Sequence, residues 1–411
     1  MKKEIEVYAS WPEFVVDTLI GKLHIDKKGN EEIIAFSYDE YWLEHYENKY
    51  HLDPDIYPFR GQQFPKAEKG WFGLFFDSAP DRWGRTLMKR KESILAKKEN
   101  RSVQHLQESD FLLGVNDFVR SGALRFKEIG SSQFLSEGDN FAIPPLARLR
   151  ELENWSLRLE DNSEEEKWLL KLIHPGSSLG GARPKASVID EKGVLWIAKF
   201  PSMKDFANIG AWEKVAHTLA QMCGIEVPKT QIYSFTDQGS TFLSQRFDRI
   251  EKGGRLHYTS ALSLLGRKDW DSDASYLEIV EFILQFGSHV IADLNQLFRR
   301  ILFNIAISNT DDHLRNHGFI LNGSGWKLSP AFDLNPDPRG KSLSLAIDEI
   351  NRSLDFELIL SQAHHFRVNN KEAHLIKDEM LDRISGWRNI ASSLKLKEYE
   401  IDQMESAFKL N

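Results

Sequence analysis

The sequence predicts an α+β fold, with most of its strands before about residue 250 and a mainly helical part after it. Three observations carry this. Apolar segments flanking turn residues recur as hairpins, at Leu19–Ile25 with Ile33–Tyr38, at Ala186–Asp190 with Val194–Phe200, and at Phe319–Leu321 with Trp326–Leu328. Leu297, Phe298, Ile301, Leu302, Ile305 and Ala306 recur at helical spacing, which marks one packed face. The chain is 41% hydrophobic and 28% charged over 411 residues, enough for two or three globular domains.

In chain order, residues 1 to about 125 read as one module. Its first hairpin turns at Asp26-Lys27-Lys28-Gly29-Asn30. Pro80-Asp81-Arg82 opens a basic helix running to about Lys98, and Lys89, Arg90, Lys91, Lys97 and Lys98 read as its solvated face. Residues 130–145 carry Gly, Ser, Asn and two prolines, the composition of a linker or a compact loop. Helical patterning from Leu146 to Leu172 breaks near Asp161-Asn162-Ser163. Glu164-Glu165-Glu166 then suits an acidic first helical turn.

The run Pro175-Gly176-Ser177-Ser178-Leu179-Gly180-Gly181-Ala182-Arg183-Pro184-Lys185 precedes a strand. Small residues let a backbone approach phosphate oxygens, and successive N–H groups make an anion cradle. Lys185 and Lys199 supply positive charge nearby. The run lacks both the Gly-x4-Gly-Lys-Ser/Thr spacing and the Gly-x-Gly-x-x-Gly pattern, so a plain glycine-rich hairpin is an open alternative. Ile209–Cys223 reads as a helix on which Glu213 either pairs with Lys199 or lies on the surface. Thr241–Arg249 reads as a strand leading into a connection.

The helix ending near Ala306 is followed by Asn309-Thr310-Asp311-Asp312-His313-Leu314-Arg315-Asn316, and Asp333 follows the third hairpin. An acid, an amide five residues on, and a second acid beyond a hairpin form the layout of a kinase catalytic centre. One acid handles the proton of the attacking hydroxyl, and the amide and second acid hold Mg²⁺. The bland alternative is that Asp311 and Asp312 only follow a helix and Asp333 caps a turn. The order along the chain favours the chemistry: glycine-rich run, strand lysine, helix, acid, amide, second acid.

Other classes are disfavoured. Cys223 is the only cysteine, so no internal disulfide forms, and its apolar helical setting suits a core position. No apolar stretch reaches ~18 residues, the length of a spanning helix. The start lacks an apolar signal core, and a cytoplasmic location is expected. A net charge of −8 argues against general nucleic-acid affinity.

Taken together, Ser178-Leu179-Gly180-Gly181-Ala182-Arg183-Pro184-Lys185, Ile197-Ala198-Lys199-Phe200, Gln245-Arg246-Phe247-Asp248-Arg249, Asn309 to Asn316 and Leu328-Ser329-Pro330-Ala331-Phe332-Asp333-Leu334 resemble the HipA-type serine/threonine kinase toxins of bacterial toxin–antitoxin systems. Phe75-Phe76-Asp77-Ser78-Ala79-Pro80-Asp81-Arg82 resembles that family's N-terminal module, so the resemblance covers nearly the whole chain. It implies a two-lobed, protein-kinase-like (HipA-like) fold: an N-terminal subdomain over 1–125, a small-lobe region over 126–249 and a helical lobe over 250–411. It implies Asp311 as catalytic base, with Asn316 and Asp333 as magnesium ligands. Nucleotide contacts are implied for Gly180, Gly181, Ala182, Arg183, Pro184, Lys185, Lys199, His313 and the hinge Gln245, Arg246, Phe247. Gln245 departs from the glutamate often found there. Ser178, with Ser177 as its competitor, matches the self-phosphorylated serine. The cofactors implied are ATP and Mg²⁺. The partners implied are a protein substrate such as an aminoacyl-tRNA synthetase and a small helix-turn-helix antitoxin, with operator DNA reached only through the antitoxin and no membrane. A co-repressor subunit with incidental catalysis and a small-molecule phosphotransferase are the competing readings.

Overall fold

The computed structural model describes residues 2–29, 31–47, 49–66, 69–136, 143–161, 183–250, 253–269 and 271–410. Packing divides the chain into two compact units, residues 1–203 with 245–259, and residues 204–244 with 260–411. The sequence placed module boundaries near 125 and 249.

Unit 1 is built on an antiparallel sheet of order β3-β2-β1-β4, from β1 (Lys2–Ala9), β2 (Thr18–Lys28), β3 (Glu31–Tyr38) and β4 (Leu124–Glu128). Alternate residues point inward, so Ile5, Val7, Ala9, Leu23, Ile25, Phe36 and Phe126 are buried together. The first hairpin is tighter than its sequence suggests. Asp26, Lys27 and Lys28 pair across to Ile33, Glu32 and Glu31, and the chain turns at Gly29 with φ +62°. That left-handed backbone suits glycine, and the lysine–glutamate alternation satisfies an exposed strand end as readily as a turn.

Helix α1 (Glu40–Tyr46) starts at Asp39, whose carboxylate accepts from Tyr41 N at 3.0 Å. Its Trp42 joins Trp11, Phe14, Tyr46 and Tyr50 in one aromatic cluster. Short α2 (Gly73–Phe76) precedes the predicted basic helix, α3 (Arg82–Lys98), and α4 (Glu108–Gly114) follows. On α3, Lys89, Lys97 and Lys98 are exposed as expected. Arg90 is not merely solvated, because its Nη1 donates to Leu159 O at 2.7 Å on α5 (Leu149–Glu160). The presumed linker folds back onto β4 over 131–136, where Leu135 N donates to Phe126 O at 2.7 Å. Glu164 to Glu166, like Ser177, Ser178 and Gly180 to Ala182, lie outside the described residues. The second hairpin is present as β5 (Lys185–Ile189) and β6 (Leu195–Lys199).

Buried charge explains why 245–259 belongs to this unit. Arg246 Nε and Nη2 donate to Asp248 at 2.8 and 2.5 Å, and Gly122 N donates to the same carboxylate at 2.9 Å. Arg249 donates to Asp248 Oδ2 at 2.8 Å and also to Arg120 O, while Arg255 reaches Asp117 at 2.7 Å. These bonds fasten the later segment to residues 117–122, over 100 positions earlier. They also end β8 (Gly239–Gln245) before the Arg249 that the sequence pattern suggested.

Unit 2 contains α6 (Ile209–Met222), the β7 (Thr230–Thr236)–β8 hairpin and most of the helices. Gly210 of α6 allows close approach to the hairpin: a Cβ there would meet Ser240 O at 2.0 Å. Cys223 is buried, as read from the sequence, and burial pushes its thiol up to about 12. After the short β9 (Tyr258–Ser260) come α7 (Ala261–Leu264), α8 (Tyr276–Phe286) and the central α9 (Val290–Ala306). The apolar stripe of α9 predicted from Leu297 to Ala306 is fully buried. The third hairpin forms as β10 (Gly318–Asn322) and β11 (Gly325–Leu328), with Leu321 opposite Trp326. Helices α10 (Phe356–Ser361), α11 (Asn370–Ser385), α12 (Trp387–Ser393) and α13 (Glu398–Met404) complete the unit. No described helix is long and apolar enough to cross a membrane.

Candidate active site

The end of α9 sets the site. Ser308 adopts φ +50° and Asn309 N returns to Asn304 O at 2.8 Å, so the chain breaks sharply into the 309–316 loop. Buried Asn309 then holds two segments at once. Its Nδ2 donates to Asn304 Oδ1 at 2.9 Å, and its Oδ1 accepts from Asn335 N at 3.4 Å. Ser344 Oγ donates to Thr310 O at 2.7 Å, and Asp337 N to Ser308 O at 3.3 Å. Gly340 is needed for this contact, since a Cβ would lie 2.7 Å from Thr310 Cγ2. The 333–344 segment is thus laid against the 308–312 loop. Asp333 itself sits at φ +55°, in the left-handed region that Asp tolerates better than most non-glycine residues.

The two adjacent aspartates have opposite environments. Asp312 is buried and accepts three bonds, from Tyr276 OH at 2.6 Å, Asn304 Nδ2 at 2.5 Å and His317 Nε2 at 3.0 Å. Burial would raise its pKa, but the charge and hydrogen bond of His317 and the Tyr276 bond hold it below the ordinary carboxylate value. Burial and Asp312 together push the Tyr276 phenol far above its usual range. Asp311 is instead 87% exposed, with His313 Nε2 4.0 Å away. Crowding by protein, then the charges of Asp333, Asp312 and Asp337, raise its pKa; His313 pulls it down. With the side chain this open, the neighbouring charges rather than desolvation carry the rise.

Asn316 turns its Nδ2 to Asp311 O at 2.8 Å, and its N–H bonds His313 O at 2.8 Å. With the amide nitrogen occupied, its Oδ1 is the atom suited to a cation. Arg315 makes a two-pronged bond to Asp269, at 2.5 and 2.6 Å, bracing the outer side of the loop. Among the described residues no three His, Cys, Asp or Glu side chains stand together as a metal site. Mg²⁺ does not need one, because it is usually held by one or two protein oxygens with phosphates and water completing the shell. Asp333 and Asn316 fit that donor set.

Unit 1 carries most of the other predicted positions. Arg183 is half-buried, Pro184 buried and Lys199 half-buried at the end of β6. Lys185 is buried, its Nζ 3.3 Å from Asp81 Oδ2. Arg246 is spent on Asp248 and on Val119 O, and its N–H bonds Leu195 O at 2.9 Å, so that donor of the expected hinge is already used. Gln245 and Phe247 are half-buried. Glu213 is buried, not a surface residue, with His217 Nε2 4.0 Å away. Sequence reasoning missed Tyr276, Asn304 and His317. The adjacency of Asp312 and His317 to the motif was the only signal, and it could not show that they face inward.

The family model of the HipA-like C-terminal domain matches residues 177–387. This chain belongs to that family. Among HipA relatives, the serine/threonine-protein kinase toxin HipA of Shewanella oneidensis is 23% identical over 287 residues, 61% of this chain and 64% of that one. A candidate kinase of Haemophilus influenzae is 27% identical over 180 residues, 38% of this chain and 52% of that one. The chain thus spans between about half and two thirds of the length of these curated relatives. A solved chain from the Shewanella oneidensis MR-1 complex of HipA, HipB and operator DNA matches with TM-score 0.66 at 17% identity, covering 98% of this chain and 94% of that one. The likeness establishes the fold class expected from the sequence, α+β and of the two-lobed, kinase-like HipA kind.

Proposed function

We propose that this protein is an ATP- and Mg²⁺-dependent serine/threonine protein kinase acting as the toxin of a toxin–antitoxin pair. The observation that carries the reading is the division of labour between Asp311 and Asp312. One carboxylate is buried and accepts three hydrogen bonds, while the other is exposed, beside Asn316 and within the field of Asp333. Asp311, with its pKa raised, accepts the proton of a substrate hydroxyl as that oxygen bonds to the terminal phosphorus of ATP and ADP leaves. Asp333 and Asn316 would hold Mg²⁺, which when bound offsets the charge of the phosphates.

Lys199, the 180–184 run, His313 and the backbone of Gln245 and Phe247 are assigned to nucleotide. Self-inactivation at Ser178, with Ser177 as competitor, follows from the resemblance, as does a protein substrate of the aminoacyl-tRNA synthetase kind. A HipB-like helix-turn-helix antitoxin is proposed as partner by analogy with the solved HipA complex. A cytoplasmic location fits such a toxin. The test is transfer of labelled terminal phosphate from ATP to protein by the isolated chain. Transfer that requires Mg²⁺ supports the proposal, and none under any divalent ion refutes it.

A further inference from the structure

Lys185 is the first residue of β5, directly after the glycine-rich run, and the family resemblance implies a nucleotide contact for it. Its surroundings indicate another task. The side chain is 3% exposed, and its ammonium lies 3.3 Å from Asp81 Oδ2, itself 6% exposed. Asp81 is at the same time the N-cap of the 17-residue α3, its Oδ1 accepting from Gly84 N at 2.7 Å. Two residues on, Trp83 Nε1 donates to Lys185 O at 3.0 Å. The start of α3 therefore grips both the side chain and the backbone of one β5 residue.

The strand register gives the second reason. Lys185 stands opposite Lys199 in the β5–β6 hairpin. Residues directly opposite in an antiparallel pair share a face, and like charges there repel. Asp81 offsets one of the two ammonium groups from the side of α3.

We propose that Lys185 is a positioning residue and not a phosphate ligand. Paired with Asp81, it fixes the point at which the strand leaves the glycine-rich run, and the phosphate role in this hairpin falls to Lys199. The N-terminal module is then a working part of the nucleotide apparatus, acting through Asp81 and Trp83. This rests on the kinase reading above.

The test compares the full-length wild type with Lys185→Met, Asp81→Asn and the double variant. Asparagine still caps α3, so Asp81→Asn removes chiefly the charge. The readouts are the melting temperature and kcat and KM for Mg-ATP, measured well below melting. Each single variant breaks the buried pair and should lose about tenfold in kcat/KM, whereas the double variant, with both charges gone, should recover to within about threefold of wild type. Asp81→Asn matters most here, because a phosphate-ligand role for Lys185 gives it no reason to affect ATP. If Asp81→Asn has wild-type kinetics, or if the Lys185→Met deficit persists undiminished in the double variant as a raised KM, the proposal is overturned. If melting temperatures shift while all kinetics stay at wild type, the pair is only structural and the proposal is again overturned. A wild-type chain that transfers no phosphate brings down the kinase reading itself, an outcome distinct from any difference among the variants.

Discussion

Asp248 in unit 1 and Asp311 in unit 2 are both surrounded by charge, but of opposite sign. Asp248 is buried between Arg246 and Arg249 and also accepts from Gly122 N. Burial would raise its pKa, yet the two arginines hold it well below the usual carboxylate range. Burial in turn lowers Arg249 to about 9. At Asp311 crowding by protein and the charges of Asp333, Asp312 and Asp337 outweigh the pull of His313, and the pKa moves up. The first arrangement ties distant parts of the chain together. The second gathers several carboxylates around one exposed side chain, which costs stability and suits a base beside a cation site.

The largest expected effect tests the exposed side of this contrast. Asp311→Asn should lower phosphate transfer by ~10²–10⁴-fold, the usual cost of losing a positioned base. Its thermal midpoint at pH 7 should equal or exceed that of wild type. A carboxylate whose folded pKa is raised disfavours the folded state at pH above that pKa, so its removal relieves the fold. Equal turnover, or a clear loss of stability, would break the comparison.

Asp248→Ala should behave in the opposite way. It leaves two buried guanidinium groups without their carboxylate, and breaking such a cluster costs ~3–5 kcal/mol, readable by urea denaturation. The pH dependence sharpens this. Since the folded pKa is depressed, the contribution of Asp248 is complete above the unfolded value of about 3.9. It is lost as pH falls below that, because the unfolded chain takes up a proton that the folded chain refuses. Asp248→Asn should therefore flatten the acid limb of the stability–pH curve.

Tyr276→Phe probes the link between buried support and exposed base. It removes one donor to the ionised Asp312, worth ~1.5–3 kcal/mol for a bond to a charged group. Turnover should fall less than in Asp311→Asn, since Asn304 and His317 still hold the carboxylate. Unchanged stability in this variant would mean that the Asp312 cluster does not brace the loop.

Asp333→Ala should weaken Mg²⁺-dependent ATP binding in calorimetry, with Asn316→Ala weaker in effect because a neutral amide supplies less charge. Binding without Mg²⁺ should change least. The smallest effect belongs to Cys223, whose raised thiol pKa and burial should leave it inert to thiol reagents until the chain unfolds.

The sequence by itself determined the α+β class, the three hairpins and the helical run from Leu297 to Ala306, and it marked Asp311, Asn316 and Asp333 as the motif to examine. These are local matters: apolar period, turn residues and short spacings are written along the chain. Only the tertiary structure decided which of two adjacent aspartates is exposed. That depends on Tyr276, Asn304 and His317 converging on Asp312 from a helix start, a helix end and a strand start. Only it decided that Arg90, Lys185 and Arg246, which read as surface or ligand groups, are engaged with Leu159 O, Asp81 and Asp248. Charge reads as solvent-facing in a sequence because burying it alone is costly, and the partner that removes the cost lies, for Arg90 and Lys185, far away along the chain.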